Sequence, residues 1–220
     1  MLGEPTPGWR VERRESARAR ILETAWLLAR ENGLAGLSLR DLARQLGMAA
    51  PSLYSYFASK DALYDAMFAQ GYRDLLALPP IQAPDLREAL RLPAVRFAHF
   101  CVEDPARYQL LFQRTVPGFV PSEKSYELAK QAYEALAEPA KKFGVESQAD
   151  HDLISAVFVG LVAQQLANEP TSTRWIDQID RAADMLVDHL EPTVSPHRAD
   201  ITARPSRPRS ATSGRRRSKK

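Results

Sequence analysis

Residues 38–63 read SLRDLARQLGMAAPSLYSYFASKDAL, and the spacing predicts two short helices meeting at a tight turn, followed by the start of a third. Leu39, Leu42, Ala43 and Leu46 fall at i, i+3, i+4 and i+7 and so share one helical face. Ser38, with Asp41 three residues on, has the form of a capping box that begins this helix, and Gly47 ends it. Pro51 suits the first turn of the next helix, where a missing N–H costs nothing. Leu53 and Phe57 lie four apart on the face that packs back on the first helix, while Ser52, Ser55 and Tyr56 lie opposite. The pattern is a helix-turn-helix. Its outward face carries small or flat polar groups able to approach phosphates or base edges, and Lys60 adds a positive charge just beyond.

Residues 53–63, LYSYFASKDAL, resemble the L-Y-x-[HY]-F-x-[SN]-K-[ED]-x-L signature of the TetR (tetracycline repressor) family of bacterial transcriptional regulators. The preceding L-x-x-L-A-x-x-L-G helix stands at that family's spacing. The resemblance implies an all-α fold with a three-helix helix-turn-helix head over residues 13–59 and a larger helical body over residues 60–191 for effector binding and dimerisation. It also implies a homodimer that binds a double-stranded DNA operator and responds to a small-molecule effector, with no cofactor. Tyr54 and Lys60 match family positions that hold phosphates. Arg40, Ser52, Ser55 and Tyr56 match positions that reach bases or the adjoining backbone, with Ser38 at the start of the first helix beside them. Arg40 has the geometry to pair with a guanine's O6 and N7. Ala49 and Ala50 depart from the pattern, standing where many members carry a polar cap and a polar base-reader. The recognition helix is therefore poor in hydrogen-bonding groups, and Ala50 and Pro51 are placed to read thymine methyls or DNA shape instead.

The formal net charge of +3 conceals a division along the chain. Residues 1–60 are net +3, residues 61–195 net −8 and residues 196–220 net +8. A polyanion is drawn to the two ends and repelled by the middle, as befits a nucleic-acid-binding head on an acidic body. No run of 18 apolar residues is present and no secretory leader opens the chain, so the reading is a cytoplasmic protein with no membrane segment. The single cysteine, Cys101, leaves no intrachain disulfide and fits a reducing compartment.

Outside the helix-turn-helix, residues 1–12 hold Pro and Gly without apolar period and read as a disordered arm, with Arg10, Arg13 and Arg14 near phosphates. From about Glu12 to Asn32 a helical stripe runs through Ile21, Ala25 and Leu28, ended by Gly33, and Trp26 completes the head's core or stands at its edge. The helix from Lys60 continues its stripe through Met67, Phe68 and Leu75, past what the head needs, and so joins head to body. Asp85 with Glu88 opens a helix to about Val102 that contains Pro93; whether it is kinked or split is open. Asp104-Pro105 starts another, and one from about Glu123 to Phe143 contains Pro139, which bends or splits it. Residues 150–168 and 173–190 are the cleanest long helices. Their broad apolar faces imply close contact on two sides. By the family resemblance these two helices form the dimer interface, with Leu153, Val157, Gly160, Leu161, Ile179, Ala183 and Leu186 on it. The alternative is that they only complete the monomer core. From residue 192 to 220 the composition is Pro, Ser, Thr and Arg, read as a disordered basic tail that holds phosphates or merely solubilises.

No catalytic constellation stands out. His99 and Cys101, two residues apart on a helix, point about 200° apart and form neither a dyad nor a metal site, and His151, His189 and His197 are scattered. No catalytic residue and no metal ligand is assigned. The aromatic set Phe97, Phe100, Tyr108, Phe112, Phe119, Tyr126 and Phe158 exceeds what a core of this size needs. With His99, Gln164 and Gln165 as polar contacts it marks an apolar effector cavity, in the region where the family binds its ligands. The expectation is a ligand-responsive repressor. The alternatives are a nonspecific nucleoid-associated protein, and a helical carrier or enzyme.

Overall fold

The computed structural model describes residues 7–194, which form helices α1 (Pro7–Gly36), α2 (Leu39–Gln45), α3 (Ala50–Tyr54), α4 (Lys60–Leu76), α5 (Leu86–Val102), α6 (Pro105–Phe112), α7 (Glu123–Lys141), α8 (Gln148–Asn168) and α9 (Ile179–Val194), with a 3-10 turn at Ile176–Gln178. The fold of the described residues is all-α. Most helix starts are written locally. Ser38, Ser59, Asp85, Asp104, Ser122 and Ser147 each accept the N–H three residues on, satisfying one orphan donor and contributing about 1 kcal/mol apiece. The recognition helix α3 is the exception: Ala49 stands at its N-cap and provides no side-chain bond.

Two boundaries differ from the sequence expectation. α1 begins at Pro7 rather than near Glu12, so residues 7–12 are helical and not part of an arm. Proline is favoured at a first helical position, and no breaker follows until Gly33, whose φ of 72° interrupts the helix. α9 runs to Val194, past the residue 191 at which the body was expected to end. Residues 1–6 of the expected arm and 195–220 of the expected tail lie outside the described residues. Pro93 and Pro139 each sit inside a helix that runs past them, so neither segment is split.

α1, α2 and α3 close around Ile21, Ala25, Leu42, Leu53 and Phe57, all at most 1% exposed. Each of these side chains larger than alanine contributes roughly 1.5–3 kcal/mol by leaving water. Trp26 is buried and its Nε1 donates to Gln70 Oε1 at 3.1 Å, which ties α1 to α4. The Tyr64 hydroxyl of α4 donates to the Leu34 carbonyl. α4 thus belongs to the head at one end, and at the other it packs on α6 and α7 of the body. Gly71 permits the close approach to α6, since a Cβ there would lie 2.8 Å from Leu111 Cδ1. Two polar ties reinforce the joint. Arg30 of α1 donates from Nε and an η nitrogen to Asp104 Oδ2 at 2.9 and 2.7 Å, while Asp104 Oδ1 caps α6. Asp65 of α4 accepts from Ser122 N, Ser122 Oγ and Ser125 Oγ at 2.7, 3.0 and 2.9 Å.

Candidate functional site

The head presents the outer side of α3 to solvent. Leu53 and Phe57 are buried, so helical geometry turns Pro51, Ser52, Tyr54 and Ser55 outward, and all four are exposed. Ala50 and Tyr56 are half-buried beside them. Arg40, on α2, is also exposed. Ser38 is half-buried, and its Oγ accepts the Asp41 N–H at 3.4 Å, so this hydroxyl sets the start of α2. The Ser55 hydroxyl is likewise engaged, donating to the Ser52 carbonyl at 2.7 Å. Lys60 Nζ donates to the Ala35 carbonyl at 3.1 Å, which holds the ammonium at the rim of the head.

Two arginines of α1 brace this surface from behind. Arg14 donates to the Ser55 carbonyl at 3.0 Å and lies over the Tyr56 ring. Arg18 donates to the Tyr56 carbonyl at 2.7 Å with its guanidinium 4.3 Å from the Phe57 ring centroid. Both satisfy carbonyls at the end of a five-residue helix too short to be stable alone. Sequence reasoning expected Arg14 near phosphates, not as a brace, and passed over Arg18. Their only signal was position, one turn apart on an exposed side of α1.

Two cavities of the body stand out among the described residues. The first, about 210 Å³, lies among α4, α5, α6, α7 and α8. Its origin is visible on α7, where Ala129, Ala132, Tyr133, Leu136, Ala137 and Ala140 repeat at helical period along the wall, facing Ala89 and Ala94 of α5. Methyl side chains on facing helices leave volume unfilled. The second, about 320 Å³, lies between α4, α6, the α6–α7 loop and the start of α7, and shares Tyr72, Phe112 and Ala129 with the first. The Tyr72 hydroxyl donates to the Leu111 carbonyl at 3.0 Å, and burial raises its pKa above the usual phenol range.

Of the ten residues expected around an effector cavity, Phe97, Phe112 and Phe158 line the first and Phe112, Phe119 and Tyr126 the second. Phe100, Tyr108 and Gln165 line neither. Phe100 packs beneath the Arg107 guanidinium, 3.7 Å from its ring centroid, and the Tyr108 hydroxyl accepts from Gln113 Nε2 at 3.3 Å. Gln165 is fully buried for a structural reason. Its Nε2 donates to the Glu169 and Ser172 carbonyls, and its Oε1 accepts the Trp175 and Ile176 N–H groups at 2.9 and 3.4 Å. Every donor and acceptor of the amide is used to fold the α8–α9 connection, leaving nothing for a ligand. His99 and Gln164 are exposed, so neither serves as a polar wall. Tyr72 and His151 were not foreseen as wall residues.

The expected dimer set divides in two. On α8, Leu153 is 41% exposed and Val157, Gly160 and Leu161 are half-buried, an apolar stripe at the surface, and on α9 Met185 is 55% exposed. Ile179, Ala183 and Leu186 are at most 4% exposed within one chain, packed in the core where α9 meets α5 and α8, and are not available to a partner. The breadth of α9's apolar face reflects its own chain's core. Arg87 and Arg91 of α5 pair with Asp184 and Asp180 along the rim of that contact. The Arg87 hydrogen bond holds the Asp184 carboxyl below the usual carboxylate range.

Residues 21–67 match the profile described as bacterial regulatory proteins, tetR family. Among curated relatives, the HTH-type transcriptional regulator Rv1816 of Mycobacterium tuberculosis (strain ATCC 25618 / H37Rv) is 33% identical over 117 residues, covering 51% of this chain and 50% of the relative. The HTH-type transcriptional repressor Rv1353c of the same strain is 30% identical over 159 residues, covering 71% and 59%. Residues 21–67 are a TetR-family DNA-binding segment. The chain spans about half the length of the curated relatives it matches first. Solved structures share the fold of the chain. The regulatory protein SCO4313 superposes with a TM-score of 0.62 at 21% identity, covering 80% of this chain and 98% of that one. BioQ with its double-stranded DNA operator superposes at 0.55 and 22% identity, covering 79% and 96%. The matched segment contains α2, α3 and the first half of α4, so the family's signature and the braced surface are the same piece of the molecule.

Among the described residues, no helix is long and apolar enough to cross a membrane, and no group of three or more His, Cys, Asp or Glu side chains is placed to hold a metal ion.

Proposed function

We propose that this chain is a transcriptional regulator acting as a repressor: a homodimer in the cytoplasm whose two heads enter successive major grooves of a palindromic operator. A small apolar or amphipathic molecule bound in the body releases it. The observation that carries the reading is the α3 surface, exposed, polar and braced by Arg14 and Arg18, within a segment that matches the TetR family. Tyr54 and Lys60 hold phosphates, Arg40, Ser52, Ser55 and Tyr56 reach bases or adjoining backbone, and Ala50 and Pro51 lie against the groove floor. Half-sites lie roughly 34 Å apart or slightly more. Leu153, Val157, Gly160 and Leu161 meet the partner, joined by Met185.

Release follows from the position of α4. One end is Lys60, at the DNA, and the other lines both cavities through Tyr72. A ligand that favours a tilted α4 by about 1–3 kcal/mol shifts the two heads out of register, and operator DNA lowers affinity for that ligand by the same factor. The reading is tested by single substitutions in the head. Lys60→Ala is expected to weaken binding to all sequences and to flatten the salt slope by about one unit. Arg40→Ala is expected to cost about 1–3 kcal/mol on the operator and to relax one base position. Equal losses by both variants on operator and random DNA would identify a nonspecific DNA-binding protein instead. Absence of DNA binding by the unmodified chain would leave a helical carrier.

A further inference from the structure

The wall of the smaller cavity is apolar except at four side chains: Tyr72, Tyr133, His151 and Ser155. Two of these are engaged. The Tyr72 hydroxyl donates to the Leu111 carbonyl, and the Tyr133 hydroxyl accepts from Gln148 Nε2 at 3.1 Å and lies 3.4 Å from Asp152 Oδ1. The other two stand one turn apart on α8, on the same helical face. His151 is 6% exposed, and its Nε2 is sealed from water with no hydrogen-bond partner among the described residues. Ser155 is half-buried at the same wall. A buried imidazole nitrogen left without a partner is unfavourable, so a molecule that supplies one binds the more tightly for it. Ligand sites in general combine an apolar lining with very few polar groups that fix orientation.

We propose that His151, supported by Ser155, is the polar anchor of this cavity. Its ligand is a small, largely apolar, uncharged molecule carrying one hydroxyl or carbonyl group. The apolar part lies against the alanine faces of α5 and α7, and the polar group meets α8. The ligand is uncharged because no Asp, Glu, Lys or Arg lines the cavity to pair with an ion. The proposal rests on the reading that the body takes up a small molecule and names the chemistry of that molecule.

The test compares 1-naphthol with 1-methylnaphthalene, of similar shape but lacking the hydroxyl, by calorimetric titration of the full chain. Unmodified protein is expected to bind 1-naphthol roughly five- to a hundredfold more tightly, the range a single buried hydrogen bond spans. In His151→Phe the preference is expected to fall below about twofold while 1-methylnaphthalene still binds, with Ser155→Ala intermediate. A second readout needs no variant: the Nε2 resonance of His151 in nitrogen-labelled protein should move with 1-naphthol and not with 1-methylnaphthalene. Equal affinity for both probes, or a His151 resonance unmoved at saturating 1-naphthol, overturns the anchor and leaves the cavity as an apolar ligand site. If neither probe binds, the ligand site itself is lost and the proposal with it. Loss of both probes in Ala132→Leu, which fills the cavity, would place the bound molecule in it; unaltered binding by that variant would place it elsewhere and overturn the proposal.

Discussion

Around Phe57 the helices of the head close on large side chains, while around Ala132 the helices of the body close on methyl groups. Neither cavity is lined by a residue of α1, α2 or α3. The polar groups of the head follow the same contrast. Arg14, Arg18, Lys60 and Tyr64 each donate to a backbone carbonyl elsewhere in the head, the first two bracing the end of α3 and the last two tying α4 to the end of α1. At the cavity wall of the body, His151 Nε2 has no such partner. Under the proposed function, a surface that meets a rigid groove is held from several sides, and a region that admits a guest keeps volume free. The two are joined by α4 and by the Arg30–Asp104 and Asp65–Ser122 ties, the route that the proposed release uses.

The largest effect that would sharpen this contrast lies in the cores. Phe57→Ala is expected to destabilise by about 3–5 kcal/mol in urea unfolding, because a fully packed site collapses poorly. Phe158→Ala, whose ring already borders empty volume, should cost at least about 1 kcal/mol less. Equal costs would break the distinction between filled and hollow regions. Next is the joint. Asp104→Ala removes both a helix cap and the acceptor for Arg30 and should cost about 2 kcal/mol. Arg30→Ala, with a side chain 47% exposed, should cost less than about 1 kcal/mol. If Arg30→Ala is the costlier, the tie and not the cap dominates.

Smaller still is Ala132→Leu. Extra volume is expected to change stability by no more than about 1 kcal/mol in either direction, since it fills a cavity rather than a packed core. Deleting residues 196–220, net +8, should leave the melting temperature unmoved and weaken binding to random DNA at low salt. Unchanged random-DNA affinity would make that segment a solubilising extension only. The smallest expected effect is on Cys101. Burial pushes its thiol well above the usual range, only partly offset by Arg107, so the thiolate is scarce throughout neutral pH. Native protein should resist iodoacetamide at a pH where unfolded protein is modified, and rapid modification of the native chain would mean that this core opens readily.

How much of this was legible follows from where the information sits. Caps and periodic stripes are local, so Ser38, Asp85 and Asp104 mark helix starts in the sequence as they do in the structure. The turn at Gly47 and the buried pair Leu53 and Phe57 are local in the same way. The cavity was only partly legible. Large aromatics attract notice, yet Phe100 fills the space under Arg107, and it is the alanines of α7 that leave the hollow. A small residue on a helix face reads as close packing or as empty space depending on what stands opposite, which no single stretch records. Gln165 and the α9 residues Ile179, Ala183 and Leu186 mislead for a related reason: their partners lie elsewhere in the chain, in the α8–α9 connection and on α5. The braces from Arg14 and Arg18 span 41 and 38 residues, beyond any local pattern.

The central claim is that the braced α3 surface reads a DNA sequence. The most direct measurement is competition between genomic fragments and random DNA of equal length for the full chain at one fixed salt concentration. The account predicts selection of a small set of fragments, each with an inverted repeat whose halves lie about one helical turn apart or slightly more, bound at least about a thousandfold more tightly than random DNA. Affinity that varies less than about tenfold across all fragments would contradict it.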